Sequence, residues 1–327
     1  MNIKKRNFPV SIFLIFSFWL LLGFSSKNKE LKELVTLASQ KKEIFDSFYK
    51  KERLISFKVN EDVFQKLLSE VQNADLFSSE IDEQKILEIL KDSESRSDYN
   101  YELWYKKNTL KKSVFSKSLS YDEEKLRSAN SKLRIEYICF GERIEEYKIL
   151  YDGKISRYQP KDNAFYKSEI TEAATNTNLV DSYAMQDLTF LPDDILLSNL
   201  SGREVQIETD GERIELLEIH KIADSEHINK NSFIVRDNVL YRKTNSDKFT
   251  GDYVSFSNTY YLNYTKVQKG DSVEYFPKFV ITFYDTERDH LNVYIRITDE
   301  FLFKKFSDED FKLSINTDAK NLTKKDK

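Results

Sequence analysis

From Tyr99 onward, apolar side chains recur at every second residue, segment after segment, as far as Thr298. Tyr99, Tyr101, Leu103 and Tyr105 alternate with polar neighbours, and so do Leu133, Ile135, Tyr137 and Cys139. Tyr147, Ile149 and Tyr151 repeat the pattern, and Asp152-Gly153 then supplies a two-residue hairpin turn. The return stretch ends at Tyr158, a polar turn holds Pro160, and Ala164 begins another short alternation. Further alternations lie at 205–208, 214–219, 232–235, 239–242, 254–264, 278–284 and 291–298. Successive side chains on a strand face opposite ways, so this period predicts strands with one buried face. Many such strands joined by short polar turns predict a large antiparallel meander rather than a parallel α/β sheet.

Residues 30–98 have a different period. Leu31, Leu34, Val35 and Ala38, then Ile44, Phe45 and Phe48, suit one or two amphipathic helical segments. Ile55, Phe57 and Val59 alternate and predict a short first strand. Asn60 offers an N-cap, with Glu61 and Asp62 in the first turn, where the helix dipole favours carboxylates. Phe64, Leu67, Leu68 and Val71 follow at helical spacing. Ser79 with Asp82 opens a second helix carrying Ile86, Leu87 and Leu90 on one stripe. A third helix is expected at 191–200, between Pro192 and Gly202.

The N-terminus bears on compartment. Lys4, Lys5 and Arg6 precede an apolar run from Phe8 to Phe24, and Gly23, Ser25 and Ser26 follow as small residues. This is the layout of a secretory signal peptide, with residues 1–26 removed. The competing reading is an uncleaved membrane anchor through residues 8–24. Cleavage lowers the 51 cations to 48 against 55 anions, leaving an acidic export product. No Cys follows the apolar run, so a lipid-modified N-terminus is not available; the single Cys139 excludes intrachain disulfides and CxxC sites.

The mixed charge argues against a nucleic-acid binder, which needs a basic stripe. The 19 Tyr and 24 Phe argue against disorder. His220, His227 and His290 are the only histidines and none stands in a metal-ligand motif; His227 reads as part of a polar turn. No serine has a nucleophile-elbow setting, and the acidic pairs read as solvated faces. The chain is therefore expected to be non-enzymatic and to need no cofactor and no metal.

The order of motifs is informative. Residues 132–137 (Lys-Leu-Arg-Ile-Glu-Tyr) lead to 149–154 (Ile-Leu-Tyr-Asp-Gly-Lys), then Tyr158-Gln-Pro160 and Asn163 to Lys167. Later come Tyr261-Leu-Asn-Tyr264, Gly270, Phe276-Pro277, and 299–306 with Asp310-Phe311. This succession, over roughly residues 99–315, resembles the LolA/LolB-like outer-membrane lipoprotein carrier superfamily. The resemblance implies an α+β fold: a strongly curved antiparallel sheet, an unclosed barrel, with helices covering its concave apolar face. To this the chain adds an N-terminal helical insertion. The expected organisation is 1–26 signal or anchor, 27–98 N-terminal helical segment, 99–317 curved-sheet domain, and 318–327 a Lys-rich flexible tail.

An apolar gap between such a sheet and its helices suits acyl chains. The face expected to line it carries Leu133, Ile135, Tyr137, Ile149, Tyr151, Tyr260, Leu262, Tyr264, Phe279, Ile281, Phe283, Val293 and Ile295, with Leu197 on the cover helix. The same residues also describe an ordinary packed core. The resemblance thus implies an exported, periplasmic carrier of acylated lipoproteins or lipids, with membrane contact through the N-terminal segment. The alternative is an exported non-enzymatic scaffold or envelope-sensor module with an envelope protein as partner.

Overall fold

In the computed structural model of the chain, the described residues are Thr36, Gln40, Lys41 and 44–78, 81–106, 132–140, 145–151, 154–169, 204–210, 213–222, 225–237, 239–248, 254–286 and 290–323. The signal segment and the helix expected at 191–200, with Leu197, lie outside them.

The alternating segments do form strands, in one sheet of fourteen. They are β1 (Ser47–Val59), β2 (Glu94–Lys106), β3 (Lys132–Phe140), β4 (Glu145–Tyr151), β5 (Lys154–Gln159), β6 (Ala164–Glu169) and β7 (Glu204–Asp210). Then follow β8 (Arg213–Ile222), β9 (Ser225–Arg236), β10 (Val239–Lys248), β11 (Val254–Lys269), β12 (Ser272–Thr286), β13 (His290–Phe303) and β14 (Lys320–Asn321). The order across the sheet is β14-β6-β5-β4-β3-β2-β1-β13-β12-β11-β10-β9-β8-β7. Two antiparallel meanders, β1 to β6 and β7 to β13, are joined where β1 pairs with β13. Among the described residues β7 and β14 are the outer strands and do not meet, so the sheet is open, as the unclosed barrel requires.

The strands are longer than their alternating stretches. β1 takes in Phe48, which the helical reading had placed before the first strand, and spans thirteen residues. Residues 27–98 therefore supply the middle of the sheet, since β1 lies between β2 and β13. His227 falls in β9 and pairs with His220 of β8 across a ladder rather than standing in a turn. Within the stretch expected as a tail, Lys320 and Asn321 pair in parallel with Ala164 and Phe165.

The two helices at 60–92 form as their caps predict. α1 (Glu61–Gln72) starts at Asn60, whose Oδ1 accepts from the Val63 amide at 2.9 Å. α2 (Glu83–Leu90) starts at Asp82, whose Oδ1 accepts from the Lys85 amide at 2.8 Å. Leu67 and Val71 of α1, and Ile86 and Leu90 of α2, are buried against Ile55, Tyr260, Leu262, Phe279, Ile281, Phe283, Val293 and Ile295. This helix pair covers β11, β12 and β13, as the helix-covered sheet requires; the helix expected at 191–200 lies outside the described residues. Asn263 adopts a left-handed φ of 52°, and there β11 turns its groups toward the α1–α2 connector. The Tyr264 amide donates to Leu76 O at 2.9 Å, and Asn263 Nδ2 donates to Ile81 O at 2.5 Å. Arg53 of β1 adds an ion pair with Glu83 of α2.

Candidate functional site

Register decides which residues share a face. Phe48 and Ile55 are seven residues apart on β1, so they point to opposite sides of the sheet. Phe48 pairs with Tyr105 and Phe303, whereas Ile55 pairs with Ile295. Asp299 has no partner on β1: Glu300 pairs with Lys51 and Thr298 with Glu52. This extra residue is a β-bulge, and it moves Phe301 and Phe303 to the face opposite Val293, Ile295 and Ile297.

The thirteen described positions expected to line one cavity therefore divide between two faces. Tyr260, Leu262, Tyr264, Phe279, Ile281, Phe283, Val293 and Ile295 lie under α1 and α2 and are all buried. Ring contacts fill that interface: Phe64 meets Phe283 edge-on at 5.2 Å, and Tyr260 meets Phe283 edge-on at 5.9 Å. Its hydroxyls are satisfied too. Gln72 Nε2 donates to Tyr260 Oη at 3.1 Å, and Tyr264 Oη donates to Leu240 O at 2.5 Å. Burial pushes the Tyr260 hydroxyl above its ordinary pKa, which keeps it neutral. These eight residues are packed core.

The other five belong to the opposite face, by register. Tyr105 pairs with Leu133 and Leu133 with Tyr151; Leu103 pairs with Ile135 and Ile135 with Ile149; Tyr101 pairs with Tyr137. These positions form a block three strands wide beside an aromatic cluster. In that cluster Phe276 stacks on Phe301 at 4.3 Å, Phe301 on Phe48 at 5.2 Å, and Phe45 packs on Phe303 at 5.2 Å. Leu103 and Tyr105 are buried in the same cluster, with Ile149 half-buried at its margin. An apolar strip thus runs from β12 across β13, β1 and β2 to β4. Phe45, Phe48, Leu103, Tyr105, Phe276 and Phe301 belong to it although sequence analysis did not select them. The alternation of Leu103 and Tyr105 was a usable signal; the phase of Phe301 was not.

The strip has a charged neighbour. Lys50 and Glu52 follow Phe48 on the same face of β1 and form an ion pair at 2.9 Å. The Tyr101 hydroxyl donates to Glu52, Thr298 Oγ1 donates to Glu52 Oε1 at 3.1 Å, and Arg296 lies 3.9 Å from it. Phe45, Phe48, Leu103, Tyr105 and Phe276 are themselves fully buried, and Lys50 pairs in register with Leu103 and Phe301 of the strip, so the exposed part of the strip is the margin around Ile149. Elsewhere, an open depression on α2 is lined by Glu83, Gln84, Leu87 and Glu88.

No family model and no curated protein matches the chain. Solved structures do resemble it. A LolA superfamily protein from Nitrosomonas europaea aligns over 86% of this chain and 97% of its own length, at 11% identity and a TM-score of 0.35. A DUF1329 family protein from Desulfovibrio piger aligns over 87% of this chain and 98% of its own, at 10% identity and a TM-score of 0.38.

Proposed function

We propose that the protein is a non-enzymatic carrier that shelters an acyl chain, borne by a lipoprotein or a lipid, along the apolar strip. The observation that carries the reading is the register that brings Leu133, Ile135, Tyr137, Ile149 and Tyr151 beside Tyr101, Leu103 and Tyr105 on one face. Each buried methylene contributes about 0.8 kcal/mol, so such a strip holds an acyl chain without a specific polar contact. The carrier acts in the periplasm after export, with residues 1–26 removed. N-terminal sequencing of exported protein checks this: a chain still beginning at Met1 means anchorage through residues 8–24.

Native mass spectrometry of the exported protein mixed with extracted lipids tests the carrier itself. A bound acyl species is the expected result. No lipid adduct, together with no binding of a fluorescent acyl probe, transfers support to a scaffold or envelope-sensor role. One observation favours that second reading: α1 and α2 fill the face of β11 to β13, so that region is solid core.

A further inference from the structure

His220 and His227 stand seven residues apart in the chain, a spacing that matches no linear metal-ligand motif. The β8–β9 hairpin removes that separation. Its register runs without a shift from Arg213 with Ile234 to Ile222 with Ser225, and His220 and His227 are direct partners in it. Directly opposed residues of an antiparallel ladder share a face, with Cβ atoms about 4.5–5.5 Å apart. Two nitrogens held about 2.0–2.1 Å from one tetrahedral ion stand about 3.3 Å from each other, which opposed imidazoles can span. The pairing takes two of the chain's three histidines; His290 lies on β13, four strands from β9.

The next row on the same face supplies oxygen. Glu218 of β8 pairs with Asn229 of β9, and Asn229 with Asp247 of β10. Positions two apart on a strand lie about 6.4–6.8 Å from each other, so Glu218 is the same-face neighbour of His220 on its own strand and diagonal to His227. On the other side of the histidines, Ile222 pairs with Ser225. Among the described residues of these three rows there are two carboxylates and no Lys or Arg. The nearest cation along the strand, Lys221, alternates to the other face, where it pairs with Glu226. The field around the two imidazoles thus favours a cation. Without one the pair is a liability in acid, because like charges directly opposite destabilise a ladder.

The row through Asn231, Asn245, Ser257, Tyr284 and Asn292 ends at Lys58 of β1, which alternates with Phe57 and Val59 beneath the helices. His227 has the parity of Asn231, so the pair is on the face away from α1 and α2, toward the β7 end of the sheet. Two strands, β10 and β11, separate it from the nearest strand of the acyl strip, and neither assignment depends on the other.

We propose that the His220–His227 register pair binds one divalent transition-metal ion of the zinc, nickel or copper kind, with Glu218 supplying a carboxylate oxygen. Imidazole nitrogen selects these ions, whereas calcium and magnesium take oxygen ligands. The ion joins β8 to β9 and so clips the hairpin through which β7, paired only to β8 among the described strands, is held to the sheet.

The test uses the full chain with Zn²⁺ alone. Every protein in it carries Cys139→Ser, which removes the one thiol that competes for zinc. Calorimetry should show one zinc bound per chain. His220→Gln and His227→Gln should each weaken binding at least about tenfold, since a single imidazole cannot chelate. His290→Gln should bind as the parent does. A second readout needs no histidine variant that has to fold. The three histidines give three sets of imidazole resonances, of which one equivalent of Zn²⁺ should shift two. The set that stays in place should be the one missing from His290→Gln. Zinc that shifts the His290 set or none of the three overturns the proposal, and so does equal affinity in the parent and a folded His220→Gln chain.

Discussion

Lys50 and Glu52, two residues apart on the central strand, form an ion pair of 2.9 Å with only 2% and 1% of their side chains exposed. Removing one member of such a pair strands a buried charge, at a cost of about 3–5 kcal/mol. Glu52→Ala is therefore expected to lower stability by that amount in chemical denaturation. Replacing both, as Lys50→Met with Glu52→Leu, should recover most of the loss, because the desolvation cost of both ions disappears as well. A double variant as unstable as the single one would mean that Tyr101, Thr298 and Arg296, rather than Lys50, hold the carboxylate.

That pair also marks where sequence reading ended. Alternation located the strands, and Asn60 and Asp82 located both helix starts, because those signals are local. Face assignment is not local. Val293, Ile295, Ile297, Phe301 and Phe303 are all odd-numbered and by period alone share one face. The bulge at Asp299 divides them, and no residue type there announces it. A second bulge, at Arg96, shifts β2 against β1 in the same way. The same limit hid what α1 and α2 cover: their apolar stripes were plain, but their target is strands some two hundred residues away. His227 was misplaced for a related reason, since polar strand residues carry no period.

The helix caps give a second prediction. Asn60→Ala removes the acceptor for the Val63 amide and Asp82→Ala the acceptor for Lys85. Each should cost about 1 kcal/mol. The two caps share no partner, so the losses should add within about 0.5 kcal/mol in denaturation experiments. A combined loss much below the sum would show that the helices start without them.

Acid pH should act on two carboxyls in opposite directions. Burial raises the Asp98 pKa, with Arg53 opposing and Glu83 adding to the rise. Its folded form binds a proton more readily than the unfolded chain, so its ionisation destabilises at neutral pH and the penalty fades as pH falls through the raised pKa. Asp98→Asn should therefore stabilise at neutral pH, with a gain that vanishes below about pH 4. Asp310 is the reverse. Hydrogen bonds from Ser307 Oγ at 2.8 Å and Ser307 N at 2.7 Å lower its pKa. Its contribution is complete above the ordinary aspartate range and is lost as pH falls through the lowered value. Trp104, which packs with Phe306 and Phe311 of the C-terminal segment, should report loosening of that segment below about pH 4, and an unchanged signal there would contradict this reading.

The two faces make separable demands on mutation. Ile281 is fully buried between β12 and the helices, so Ile281→Ala should cost about 2–5 kcal/mol. Acyl binding by the remaining folded protein should be unchanged, since nothing on the opposite face moves. Ile149 is half-buried at the margin of the strip, where a serine hydroxyl can still reach water. Ile149→Ser should therefore cost only about 1–2 kcal/mol of stability while weakening a fluorescent acyl probe several-fold. The comparison needs thermal midpoints and binding curves for both variants at a temperature where each is folded. If Ile281→Ala weakens binding and Ile149→Ser leaves it intact, the ligand lies beneath α1 and α2. The helices would then have to move apart to admit it.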